Sequence, residues 1–153
     1  MLQYQLMGSS PSVFPASLLP RIAKACRRIP GFGGSRTQSV GLRFLSEHRM
    51  KELNRAYRGK NCPTDVLSFH AADRTREQFP AVAAKGEEEE VGDIVICAAV
   101  AKREAARRSI SAREELVRLI VHGTLHLAGH DHARPADEVK MFRLQEMIVE
   151  SVV

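Results

Sequence analysis

The stretch "VHGTLHLAGHDH", residues 121–132, holds four of the six histidines of the chain. His122 and His126 stand four apart, so on a helix they lie about 6 Å apart along the axis and nearly on one face. Two imidazoles so placed can converge on one ion. A third ligand from the next helical turn would stray around the helix. Gly129, however, can take a left-handed conformation that reverses the chain and folds His132 back to the same point. The H-x3-H-x5-H spacing supplies three neutral nitrogens and no thiolate. That donor set suits zinc with an open fourth position, ahead of nickel or another divalent ion. Structural zinc sites usually close with four protein ligands, so three favour catalysis. His130 would close the site if it were a ligand, but its place beside the turn points it elsewhere.

Zinc held in this way lowers the pKa of a bound water to about 7, which makes hydrolysis the expected chemistry. A proton carrier is still needed. The zinc-protease helix H-E-x-x-H places a glutamate after its first histidine as general base, and here that position is Gly123. Ordinary peptide hydrolysis therefore lacks its base. Asp131, between two histidines, suits equally a partner that orients an imidazole and a plain turn residue.

The histidines need an element to hold them. Ser111 opens a helix over "AREELVRLIVHGTLHLAG", broadly apolar at Leu116, Leu119, Ile120, Leu125 and Leu127, with Gly129 as its stop. After it, residues 136–150 read as a last amphipathic helix with Val139, Phe142, Met147 and Ile148 inward. Upstream, "LQYQL", "SVGLRFLS", "DVLSF" and "GDIVIC" read as strands. "ASLLPRIAKACRRI", "EHRMKELNRAYR" with Ser46 as its cap, and "AAVAKREAARRS" read as helices. Residues 70–90 are polar, rich in Ala and charge, end in "EEEE", and read as a solvated or mobile loop. The sum is one α+β domain over residues 1–153: a small mixed four-stranded sheet packed with about five helices, the zinc site at the end of the histidine-bearing helix.

At 153 residues the chain is large enough for one real core. Cys26, Cys62 and Cys97 are widely separated and form no CxxC pair, so neither a disulfide framework nor a cysteine zinc site is indicated. No apolar run approaches the roughly 20 residues of a membrane-spanning helix, and "MLQYQLMGSSPSV" lacks the order of a secretory signal. A cytoplasmic protein without a membrane partner is expected. The net charge of +5 is unevenly spread: residues 1–60 carry 11 Lys and Arg against two acids, the remainder 12 against 16. A basic half fits a polyanion such as RNA, and it equally fits a merely solvated surface.

Three blocks together resemble one known family. "HGTLHLAGHDH" is similar to the H-G-x-L-H-L-x-G-[YHF]-D-H signature of the YbeY endoribonucleases, the bacterial and organellar rRNA maturation factors. "NRAYRGKNCPTDVLSF", residues 54–69, resembles their N-x-x-Y-R-G-K-x-x-P-T-D-V-L-S-F block, and "GDIVIC" their G-D-I-x-I-[CS] strand. The blocks occur in the family's order, across roughly residues 38–150.

The resemblance implies a metal-dependent, single-strand-specific endoribonuclease that matures the 3′ end of small-subunit rRNA and serves ribosome quality control. It puts the metal ligands on His122, His126 and His132 and the important arginine on Arg58, with Lys60 beside it as a further substrate contact. A fixed guanidinium suits the role, because it can hold phosphate through two hydrogen bonds and stabilise transition-state charge. The implied partners are single-stranded RNA, an rRNA precursor, and ribosomal proteins or a ribosome-associated GTPase. His130 stands where the family often has Tyr or Phe, and His70 where it often has Pro. Two other readings compete: a metzincin-like metallopeptidase, against which Gly123 argues, and a non-catalytic, zinc-stabilised adaptor for ribosome assembly.

Overall fold

The computed structural model describes residues 1–73, 88–130 and 133–153. Among them are four strands and five α-helices: β1 Leu2–Leu6, α1 Leu19–Cys26, β2 Gln38–Phe44, α2 Glu47–Arg58, β3 Val66–His70, β4 Glu89–Ile96, α3 Ala98–Arg107, α4 Ala112–Leu127 and α5 Pro135–Val152. The sheet runs in the order β1-β2-β4-β3, with β1, β2 and β4 parallel and β3 antiparallel to β4. This is the mixed sheet with five helices that the patterning predicts.

Alternation along the strands divides the apolar residues between two layers. Val40, Leu42, Ile94 and Ile96 join α1, α4 and α5 in the main core. Leu67 and Val95 point the other way, into a smaller cluster with Met50 of α2 and Cys97. The β3 strand therefore lies between α2 on one face and α4 on the other. β2 departs from the half-buried alternation expected of it, because Ser39 through Leu42 are all buried. Parallel strands in the middle of a sheet are covered on both faces.

A Cβ at Gly92 would collide with the Phe69 carbonyl oxygen and come within 2.9 Å of Leu127 Cδ2. That glycine lets β3 and the end of α4 close against β4. Tyr4 reaches across from β1, its hydroxyl 2.6 Å from Thr124 Oγ1 of α4 and 3.5 Å from Cys26 Sγ. Burial pushes the Cys26 thiol up to about 11. Cys26 and Cys97 are buried and Cys62 is exposed, all three as free thiols.

Three expectations need correction. The final helix buries Met141, Gln145, Ile148, Val149 and Val152, whereas Val139, Phe142 and Met147 are 56%, 42% and 48% exposed. Its sequence is apolar on more than one side, so packing against α1 and α4, and not periodicity, selects the buried stripe. The expected helix over residues 16–29 is shorter: a 3-10 turn at Ala16–Leu18 leads into α1, where Pro20 occupies the first turn. Finally, β3 extends to His70 and β4 begins at Glu89, so both ends of the segment expected to be loop pair as strand. Residues 74–87 of that segment lie outside the described residues.

Candidate metal centre

α4 is the spine of the site. Ser111 caps it, its hydroxyl accepting from the Glu114 N–H at 3.0 Å. Ten residues along it are buried, and His122 and His126 emerge half-buried from that core. The helix stops as glycine chemistry dictates: Gly129 takes φ +93°, its N–H donates to the His126 carbonyl at 3.0 Å, and the His130 N–H donates to the Leu125 carbonyl at 3.0 Å. The expected reversal is thus present, and His130 sits within it. Asp131 and His132 lie outside the described residues.

The two imidazoles meet edge to face, with Nε2 of His122 3.0 Å from Nε2 of His126. Two nitrogens on one tetrahedral zinc, each at about 2.0–2.1 Å, would stand about 3.3 Å apart. The observed pair is within a few tenths of an ångström of that, so this donor set fits a divalent ion with nitrogen ligands. Gln145 of α5, nearly fully buried, accepts through Oε1 from Nδ1 of His122 at 2.8 Å. The Phe142 ring lies roughly parallel to His122, with centroids 6.5 Å apart.

Arg58 arrives from the opposite layer. It is the last residue of α2, which ends at Gly59 with φ +67° and a bond from the Gly59 N–H to the Arg55 carbonyl at 3.1 Å. Buried Asn54 ties down the following turn by donating Nδ2 to the Cys62 carbonyl at 2.8 Å. The result is a cleft of about 680 Å³ whose wall includes Arg58, Asp65, Ser68, His70, His122 and His126. The structure therefore brings together Arg58 and two of the three expected metal ligands. His70 and His130 face the same cleft, whereas Lys60 is exposed and is not among the residues lining it.

Gly123 has a packing reason as well as a chemical one. A Cβ there would stand 3.0–3.1 Å from three atoms of fully buried Ile94, so a carboxylate side chain at this position has no room.

Behind His122 lies a smaller cavity of about 360 Å³, lined by Arg108, Glu115, Arg118, Phe142 and Gln145 among others. Glu115 is buried on α4, with Arg108 Nη1 at 2.9 Å and Arg118 Nη1 at 3.5 Å. Burial pushes its carboxyl above the usual range, opposed by the two guanidiniums. Arg118 also donates Nε to both oxygens of Glu146 at 3.0 Å, joining α4 to α5. Sequence reasoning missed Gln145, Phe142 and this network. The one available signal was a glutamine at helical spacing between Met141 and Ile148, a polar group within an apolar stripe.

A family model described as Endoribonuclease YbeY matches residues 20–153. Endoribonuclease YbeY of Moorella thermoacetica is 39% identical over 136 residues, covering 89% of this chain and 85% of the relative. The Desulfitobacterium hafniense protein of that name is 42% identical over 118 residues, covering 77% and 74%. A solution structure from Thermotoga maritima superposes with a TM-score of 0.60 at 28% identity, covering 99% of this chain and 89% of that one.

Proposed function

The chain belongs to the YbeY endoribonuclease family, and from that premise we propose that it is a metal-dependent endoribonuclease of single-stranded RNA. The observation that carries the reading is the pair of Nε2 atoms 3.0 Å apart on a cleft wall shared with Arg58. His122, His126 and His132 would hold one zinc ion. Such an ion acidifies a water molecule and stabilises charge on a phosphoryl oxygen.

The chain's own residues supply the rest. Arg58 holds the scissile phosphate through its planar fork and stabilises the charge that grows on it. The nucleophile is water or a 2′-hydroxyl of the RNA itself. Lys60 and the basic N-terminal half bind the flanking strand. Asp131 would orient an imidazole from the turn. The substrate is an rRNA precursor in the cytoplasm, cut at the small-subunit 3′ end, with ribosomal proteins or a ribosome-associated GTPase directing the enzyme to it.

Incubation of the purified protein with single-stranded rRNA fragments tests this reading. Cleavage should disappear with a chelator and with His126→Ala, and return to the wild-type protein on adding zinc. Cleavage that survives both treatments would remove the metal mechanism. Normal rRNA 3′ ends in cells carrying folded Arg58→Ala and His126→Ala proteins would favour the adaptor reading. Peptide hydrolysis is disfavoured, because the position of the protease base is both Gly123 and sterically closed by Ile94.

A further inference from the structure

The hydrogen bond between His122 and Gln145 has a chemical consequence for the site. A neutral imidazole has one N–H and one lone pair, and a metal takes the lone pair. Nε2 of His122 faces Nε2 of His126, so Nε2 is the nitrogen that must keep its lone pair, leaving Nδ1 as the N–H. The amide oxygen of Gln145 is an acceptor, and it sits 2.8 Å from Nδ1. A carbonyl oxygen facing Nδ1 stabilises one tautomer of His122, the one with Nε2 able to ligate.

Gln145 is itself held in place. It is 4% exposed, and its neighbour Glu146 is gripped by both oxygens to Arg118, four residues before His122 on α4. Phe142, one turn earlier on α5, covers the His122 ring. One segment of α5, residues 142–146, thus brackets one turn of α4, residues 118–122.

We propose that Gln145 is a positioning residue: it fixes His122 as the Nδ1–H tautomer and so presents its Nε2 lone pair to the ion, with the Arg118–Glu146 pair setting the register of α5 that makes this possible. The metal half of this inference rests on the reading of His122 as a ligand; the tautomer half does not.

The test compares wild type with Gln145→Leu, which removes the acceptor at similar volume, and Gln145→Glu, which keeps an acceptor. The first measurement is the nitrogen chemical shifts of His122 in metal-free protein, which report the tautomer directly. The second is zinc affinity, by competition with a chromogenic chelator. Nδ1–H should dominate in wild type and Gln145→Glu and be lost in Gln145→Leu. Zinc affinity should fall by about 10–100-fold in Gln145→Leu and stay within a few-fold of wild type in Gln145→Glu. An unchanged tautomer in Gln145→Leu, or zinc affinity within twofold of wild type, overturns the proposal. If Gln145→Leu does not fold, wild type still decides: His122 found as the Nε2–H tautomer overturns it. Wild-type protein that binds no zinc while its His122 tautomer responds to Gln145 would overturn the metal reading and leave Gln145 as the residue that sets the tautomer.

Discussion

At the scale of single residues, the site combines groups whose roles follow from their chemistry with one whose role follows from size. Arg58 is the former. Its replacement by Ala should lower RNA cleavage by about 100-fold or more, the usual loss when one transition-state donor is removed. Arg58→Lys should recover only part of that, because an ammonium lacks the planar fork. Equal cleavage rates for all three proteins would take Arg58 out of the reaction. Gly123 is the latter. Ile94 stands at 3.0–3.1 Å from the position of its missing Cβ, so Gly123→Ala should destabilise the protein by about 1 kcal/mol in urea unfolding despite alanine's better helix propensity. A variant as stable as wild type would mean that Ile94 yields. Both residues stood out in the sequence, Gly123 because it replaces an expected glutamate. Its steric meaning was not legible, since Ile94 is a neighbour only after folding.

At the scale of elements, α4 and α5 act as a pair. Because α5 buries Ile148 and exposes Met147, Ile148→Ala should cost about 2–5 kcal/mol and Met147→Gln no more than about 0.5 kcal/mol. The reverse order in thermal or urea denaturation would restore the face that periodicity suggests. Glu115 gives the pair a pH signature. Its folded pKa is raised, with burial the leading cause and Arg108 and Arg118 opposing it. A raised acid favours folding fully below its unfolded pKa, near 4.5, and loses that contribution as pH rises through the folded value. Glu115→Gln should therefore flatten the decline in stability across the window just above pH 4.5. An unchanged profile of stability against pH would show that the two guanidiniums fully compensate the burial. The histidine helix, its cap and its stop were legible, because each is encoded within about four residues. The inward face of α5 was not, because two apolar stripes compete on it and only contact with α1 and α4 chooses between them.

At the scale of the whole molecule, the uneven charge is the feature that reaches beyond the cleft. Arg27 and Arg28 are exposed after α1, in the basic half of the chain. If that half tracks an RNA backbone, affinity should fall with salt at a log–log slope of about −0.7 per phosphate neutralised. The Arg27→Ala, Arg28→Ala double variant should then weaken binding and reduce the slope by about one, with stability unchanged. Affinity and slope that stay at wild-type values would make this half a solvated surface. No helix among the described residues is long and apolar enough to cross a membrane.

The sequence by itself determined what lies close along the chain: the four-residue spacing of His122 and His126, the left-handed turn at Gly129, and the motif blocks that carry the family resemblance. Each depends on local backbone geometry or on residue identity, which folding does not alter. The tertiary structure decided what distant segments do to one another. It brought Arg58 from α2 to the cleft of α4, set Ile94 against Gly123, and turned Gln145 toward His122. Those contacts join residues between 23 and 64 positions apart. Burial of apolar surface across three layers selects them, and no periodicity within one element encodes that selection.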